Sequence, residues 1–314
     1  MSNRIITLTL NPAIDLACSA ESVRPTHKIR TGEEHIDPGG GGINVARVLH
    51  ALGADTLAVI LAGGVTGALI EDLLNEAGVP HRTVRMRGRT RISFNVFDRT
   101  AGVEYRFVPE GPTAEPHDWQ ATLDLLHRLQ GDWVVASGSL EHGMPPDIYA
   151  QVARLARSRG QRVAVDTSGT PLALALDAGL DVIKPSLGEF EALVGRKLPT
   201  ETAQEQAALE LIHAGRAQAV AVSKGEEGAF LASARGVVHM PAVPVPFRSA
   251  VGAGDSFLAA LVLSLAQGKS DRAALAWAVA AGTAAVVCAG TARVTRVEVE
   301  AQLRRLAERA DIGE

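Results

Sequence analysis

Cysteine is almost missing: Cys18 and Cys288 are the only two in 314 residues, far apart and without C-x-x-C spacing. That excludes a disulfide framework or a zinc knuckle and leaves both as expected small buried hydrophobes. Positive charge is not in excess either, since 31 Lys and Arg face 35 Asp and Glu for a formal charge of −4. Wrapping nucleic acid requires a basic field, so no nucleic-acid partner is expected. No stretch of about eighteen residues is uniformly apolar, and the first ten residues lack the apolar core and cleavage site of a leader. The expectation is a cytoplasmic protein with no membrane association. Linkers, low-complexity tracts and internal repeats are missing as well. An allowance of about 150 residues per domain permits two domains, but one domain over 1–314 with a small appendage is the expected organisation.

What is present is an ordered, core-forming composition, 46% hydrophobic and 21% charged. Glycine is the outlier at 31 residues, about a tenth of the chain against a usual value of about 7%. The excess sits in dense runs without a period, which implies tight loops. Residues 5–10, 56–61, 133–136, 162–165, 181–184 and 219–223 are short β-branched runs and are expected as strands. Between them 43–52, 68–77, 118–129, 146–159 and 202–213 carry apolar residues at helical spacing. Such alternation predicts a mainly parallel sheet with helices on both faces. Residues 257–266 and 273–287 are apolar throughout and are expected as central helices buried nearly all round. One segment departs from this rhythm. Ile92, Phe94 and Val96 alternate with polar residues, a turn follows at 98–102, and Val103, Tyr105 and Phe107 alternate again, which predicts an antiparallel hairpin. With the extended stretch 16–36 it would form a small β layer, acting as a lid or a dimer surface.

The strongest local signal is Val251-Gly252-Ala253-Gly254-Asp255-Ser256-Phe257, directly before an apolar helix. Small residues there let first-turn amides converge on an anion, with the helix dipole adding favourable potential. Asp255 at the same place is unsuited to holding phosphate but suited to taking a proton from an attacking hydroxyl. A bland role, a helix cap after a glycine turn, is the alternative. A second signal is Asp37-Pro38-Gly39-Gly40-Gly41-Gly42-Ile43-Asn44. Four glycines permit a polar ligand to lie against backbone, and Asn44 offers donors and acceptors to sugar hydroxyls; an uncommitted flexible loop is the alternative. Lys184 to Glu189 and Ser223 to Gly228 each follow a strand, at the carboxyl edge where open α/β sheets bind ligands. Arg91 in the hairpin and Lys28 in the other lid segment could each meet a phosphate. Two other nucleotide signatures fail. Neither glycine run has the spacing of G-x-G-x-x-G, and Gly268-Lys269-Ser270 lacks the first Walker A glycine, because Leu263 occupies its place.

Together these residues resemble the ribokinase-like sugar kinases of the PfkB family over nearly the whole chain. The resemblance rests on their order: Leu8 to Asp15, Gly39 to Arg47, Ser137-Gly138-Ser139-Leu140, Lys184-Pro185-Ser186 with Glu189, Ser223 to Gly228, and Val251 to Ser256. Pro38 to Arg47 and Glu104 to Val108 are most similar to the family's hexose-phosphate kinase branch, whose other members usually carry lysine where Gly41 stands. The resemblance implies an α/β fold, a three-layer α/β/α domain with a mainly parallel central sheet and a β lid built from about 12–37 and 90–109. It implies transfer of the ATP γ-phosphoryl group to a hexose phosphate. Fructose 6-phosphate going to fructose 1,6-bisphosphate is the leading expectation, with fructose 1-phosphate and tagatose 6-phosphate as alternatives. Asp255 would be the base and Gly252, Ala253 and Gly254 the anion hole. Asp15, Gly39, Gly40, Asn44 and Ser139 would hold sugar hydroxyls, and Arg91 with Lys28 the substrate's phosphate. Lys184, Ser186, Ser223, Gly225 and Gly228 would line the ATP site, and Glu189 would orient Mg²⁺ through its water shell. A homodimer through the lid is implied, as is a monovalent-cation (K⁺) site.

Four departures from the family pattern stand out. Ser186 replaces the usual Asn of the N-x-x-E element, and Glu141-His142 replaces a frequent Pro-Pro beside the sugar pocket. Ala250 replaces a usual Thr, and Ala292 stands in place of Arg near the cation site. Two other classes compete with a kinase. One is a sugar-phosphate sensor that binds without turnover, disfavoured by Asp255. The other is an esterase using Ser256, disfavoured because no G-x-S-x-G surrounds it and the last histidine, His239, precedes it.

Overall fold

The computed structural model describes residues 4–246, 249, 251–287 and 294–310. A nine-stranded sheet lies at its centre, in the order β13 (Gly236–Met240), β12 (Ala229–Ser233), β11 (Ala217–Ser223), β10 (Leu180–Ile183), β9 (Arg162–Asp166), β8 (Trp133–Ser137), β1 (Ile5–Thr9), β4 (Thr56–Gly63) and β5 (His81–Met86). Neighbours from β11 to β5 pair in parallel, while β12 and β13 form an antiparallel hairpin at one edge. The period of two along each strand sends side chains to opposite faces. Ile6, Leu8, Val134, Ala136, Val163 and Val165 enter one apolar cluster, and Ile5, Trp133, Val135, Ala164 and Val182 enter another.

The first face is covered by α3 (Pro116–Arg128), α4 (Ile148–Ser158), α5 (Gly169–Asp177), α6 (Leu187–Val194) and α7 (Glu201–His213). The second carries α1 (Gly41–Ala51), α8 (Ala253–Ala266), α9 (Asp271–Val286) and α10 (Arg296–Ala310). Residues 256–264 of α8 are all buried, and alanine lets α9 approach its backbone closely. Each fully buried Leu or Val there contributes about 1.5–3 kcal/mol relative to exposure, so an aspartate at Leu261 would disrupt this layer. The expected α/β/α architecture and mainly parallel sheet are therefore present. Among the described residues no helix is long and apolar enough to cross a membrane.

The second sheet has four strands in the order β3 (Thr31–Gly39), β2 (Ala13–Ala20), β6 (Arg91–Asp98) and β7 (Val103–Phe107). The hairpin expected at 92–107 has Phe94 opposite Phe107 and Val96 opposite Tyr105. Its base is anchored by Ile14 and Ile92, which join α1, β4 and α2 (Gly64–Glu76) in a third apolar cluster. Further out the same face is bare: Phe94, Tyr105 and Phe107 are exposed, while the polar Ser93 and Asn95 on the opposite face are buried. That inverts the usual one-sided strand pattern.

The periodicity reading omitted β5, β12, β13, α5, α6 and α10. The β12–β13 turn spans only two residues, and α5 and α6 are short enough to pass for loop. Cys18 is free and half-buried in β2, less enclosed than expected. Cys288, Ala250 and Ala292 lie outside the described residues.

Candidate active site

Gly252 caps α8 with φ +78°, a left-handed conformation that glycine adopts without a side-chain clash. The turn presents the first N–H groups of α8, on Ala253, Gly254 and Asp255, without intrahelical partners. Asp255 follows in the same turn, and its Oδ2 accepts a hydrogen bond from Asn44 Nδ2 at 2.9 Å. Burial pushes the Asp255 carboxyl up to about 6, and the charge of Asp166 pushes the same way; Asn44, Lys184 and Ser137 pull against them. The carboxylate is still partly exposed, because it lines a cleft of about 420 Å³ with Gly41, Ser139, Asp166, Thr167 and Glu189. A carboxylate of this basicity is ionised at neutral pH and able to take a proton.

Beneath the cleft Lys184 Nζ lies 3.5 Å from Asp166 Oδ1. It also borders the α8 turn, since a Cβ on Gly254 would sit 3.2 Å from Nζ. Burial alone would lower the Lys184 pKa, but Asp166, Asp255 and Glu189 more than offset this and raise it. The ammonium therefore stays charged beside the first turn of α8. Ser186 and Glu189 form a reciprocal capping box on α6: Ser186 N and Oγ donate to Glu189 Oε2 at 2.7 and 2.8 Å. Ser186 is thus committed to orienting Glu189. Exposed Glu189 and half-buried Asp166 offer hard oxygen donors to one cleft, which fits Mg²⁺, an ion held by one or two carboxylates plus substrate phosphates. Ser223 bridges to Ser186 at the end of β11. Gly225 and Gly228 follow it, outside the cleft that Asp255 lines.

The glycine run also answers a packing need. A Cβ on Gly39 would strike the Asp15 carboxylate, one on Gly41 the Ser137 hydroxyl, and one on Gly42 the Leu8 carbonyl; at Gly40, with φ +111°, it would meet Thr9. The missing side chains let α1 close onto the ends of β1 and β8 and bring Asn44 under Asp255. Asp15 is half-buried; burial raises its pKa while Arg91 and Arg106 lower it. Arg91 opens β6 beside Ala13. Its guanidinium donates to Pro109 O at 2.9 Å, Asn11 O at 3.0 Å and Pro12 O at 3.4 Å, leaving two of its five N–H groups for a ligand. Asn11 Nδ2 in turn donates to Ser139 Oγ at 3.3 Å, so Arg91, Asn11 and Ser139 form one connected edge of the site. Lys28 is not part of it. β2 runs outward from Asp15 to Ala20, where it meets Thr31, and exposed Lys28 lies in the loop at that far end.

A model of the "pfkB family carbohydrate kinase" matches residues 8–297. The ATP-dependent 6-phosphofructokinase isozyme 2 of Mycobacterium tuberculosis is 41% identical over 313 residues, covering 99% of this chain and 92% of the relative. The 1-phosphofructokinase of Rhodobacter capsulatus is 36% identical over 83% of this chain and 84% of its own. Among solved structures, phosphofructokinase-2 from Escherichia coli in complex with fructose-6-phosphate superposes with a TM-score of 0.91 at 34% identity, covering 97% of this chain and 99% of that one. The chain belongs to the pfkB family of carbohydrate kinases. It is an ATP-dependent sugar-phosphate kinase with the ribokinase-like fold.

The esterase reading does not survive the geometry. Ser256 is buried and its Oγ donates to Gly252 O at 2.8 Å, so the hydroxyl of this kinase residue closes the α8 turn. Sequence reasoning gave no role to Asn11, Ser137 or Asp166, and took Glu141 only as a departure from the family pattern beside the sugar pocket. Asp166 ends β9, and the carboxyl-edge rule that selected Lys184 would have found it had the strand been extended by one residue. Asn11 and Ser137 were inside quoted motifs. Nothing in their local sequence distinguishes them from turn residues.

Proposed function

We propose that this kinase is an ATP-dependent 6-phosphofructokinase that converts fructose 6-phosphate to fructose 1,6-bisphosphate. The observation that carries the reading is the Asp255 carboxyl, held by Asn44 in the first turn of α8 and open to the cleft, with Arg91 linked through Asn11 to Ser139 on that cleft's wall. Arg91 binds the phosphate on the sugar, helped by Arg106, while Asp15, Ser139 and the backbone at Gly39 and Gly40 orient the sugar. Asn44 holds both the base and the hydroxyl next to it. Asp255 takes the proton of the C1 hydroxyl as its oxygen attacks the γ-phosphorus; the new O–P bond forms as the bond to the bridging oxygen of ADP breaks. Amides at Gly252, Ala253 and Gly254, with the Lys184 ammonium, stabilise charge on the transferred group. ATP extends from there toward Ser223, Gly225 and Gly228. Glu189 and Asp166 would hold Mg²⁺, which when bound neutralises phosphate charge. K⁺ as an activator belongs to the same reading, as does a cytoplasmic setting.

The bare apolar face of the lid supports a homodimer in which two lids cover each other. Lys28, at the lid tip, then serves the partner's pocket, since its own lies at the other end of β2. Fructose 1-phosphate and tagatose 6-phosphate are the competing substrates. An ADP-release assay across these three and the unphosphorylated sugars is expected to give the highest kcat/KM with fructose 6-phosphate. A preference for a neutral sugar would defeat the role given to Arg91.

A further inference from the structure

Behind the sugar pocket, in the loop after β8, lies a carboxylate outside the mechanism above. Glu141 is 3% exposed, and both its oxygens are buried without a hydrogen-bond partner. Its neighbour Asn11 is 4% exposed, and its Oδ1 is orphaned in the same way. The two acceptors flank one spot: a Cβ on Gly111 would lie 2.8 Å from Glu141 Oε2 and 2.9 Å from Asn11 Oδ1. The Asn11 amide cannot turn round to relieve this. Its nitrogen faces Glu110 O at 3.2 Å, Leu140 O at 3.2 Å and Ser139 Oγ at 3.3 Å, and a flip would set an oxygen against the two carbonyls. Two buried acceptors left facing each other cost about 1–3 kcal/mol per unsatisfied group. A proton on Glu141 turns one of its oxygens into a donor for Asn11 Oδ1 and removes the larger part of that cost.

We propose that Glu141 is a positioning residue that stays a neutral acid, donates its hydroxyl hydrogen to Asn11 Oδ1, and leaves Arg91 with one fewer buried counter-ion, so that the substrate's phosphate takes that place. This rests on the reading of Arg91 as the phosphate grip. Asn11 is the link, because its side chain holds Ser139 and its carbonyl holds Arg91. The charges facing Glu141 are Arg91 from β6, which favours ionisation, and Asp118 from α3, which opposes it. Asp15 faces Arg91 from β2. The clasp of His142 Nε2 on Glu110 Oε2 at 2.8 Å closes the two loops over the site. Burial, which outweighs Arg91, pushes the Glu141 carboxyl up to about 8. Above that pH Glu141 ionises, pairs with Arg91 and competes with the incoming phosphate. A sugar phosphate, with a second pKa near 6, is already a dianion throughout this window.

The test compares wild type with E141Q from about pH 6.5 to about pH 9.5, well above the ordinary carboxylate range. In wild type KM for fructose 6-phosphate is expected to rise about tenfold across the window with kcat little changed, the coupling expected of one nearby opposite charge. E141Q, whose amide donates at every pH, should keep the neutral-pH KM and lose the rise. A wild-type-minus-E141Q infrared difference spectrum should show a carboxylic-acid C=O band at pH 7 that fades through about pH 8. By reciprocity, saturating hexose phosphate should move that midpoint up by about one unit. No such band at pH 7 overturns the proposal, and so does a band with identical KM profiles in the two proteins. If neither protein phosphorylates any hexose phosphate, the kinase substrate reading fails, and the infrared band alone decides the state of Glu141. Should E141Q fail to fold, the wild-type band and its shift with ligand decide it.

Discussion

Replacing Asn44 with alanine tests how the base is tuned. Asn44 Nδ2 donates to Asp255 Oδ2 at 2.9 Å in a setting with little solvent, and a hydrogen bond to a charged group is worth about 1.5–3 kcal/mol. One pKa unit corresponds to about 1.4 kcal/mol, so loss of this bond should raise the Asp255 pKa by about one to two units. The starting value is about 6, which places the variant between about 7 and about 8. A base works only when deprotonated, so activity is lost as pH falls through this value. The acid limb of kcat/KM should therefore move upward by the same one to two units. At pH 7 the rate should fall by about two- to tenfold from protonation alone, and it should recover toward pH 8.5. Initial rates of ADP release at saturating ATP, in buffers of constant ionic strength, give the profile. An acid limb left at the wild-type position would refute the assignment of Asp255 as the group that titrates.

Other consequences concern packing, charge and assembly. Gly42→Ala drives a Cβ into the Leu8 carbonyl and to 2.5 Å from Thr9 Oγ1, so chemical denaturation should show about 1–3 kcal/mol less stability. Lys184→Met leaves Asp166, Asp255 and Glu189 without their shared cation. Its stability deficit, followed by thermal melts, should widen as pH rises from about 5 to about 8, because the Asp255 carboxyl, pushed up to about 6, loses its proton over that range and burial raises Asp166 in the same direction. Phe107→Glu places a charge on the exposed lid face. On the proposed homodimer, sedimentation should show a dimer for wild type and a folded monomer for the variant; an unchanged dimer would remove the lid as the interface.

The layered fold was legible because its strands are β-branched and its helices amphipathic or, like α8 and α9, apolar throughout. Legibility ended where pattern and role part company. The lid strands alternate as expected, but their apolar side faces outward and their polar side is buried, which a single chain's period cannot foretell. Asp255 and its glycine turn were identifiable because a carboxylate beside small residues at a helix start has few other uses. The Gly39–Gly42 run was noticed as a ligand loop, but its packing need was not legible: the glycines let α1 pack closely against Leu8 and Ser137, and that packing sets Asn44. Lys28 was grouped with Arg91 by charge, whereas the β2–β3 register separates them by the length of the lid. Half-buried Asp166 ends β9 and buried Glu141 lies in the loop after β8, and their coupling to Lys184 and Arg91 exists only in three dimensions.

The most direct measurement is turnover and ligand binding by Asp255→Asn. The side chain keeps its shape and can still pair with Asn44 after an amide reorientation, but it cannot accept the hydroxyl proton. ATP and fructose 6-phosphate affinities by calorimetry should stay close to wild type while kcat falls by about two to four powers of ten. Turnover at the wild-type rate, with binding intact, would contradict the account.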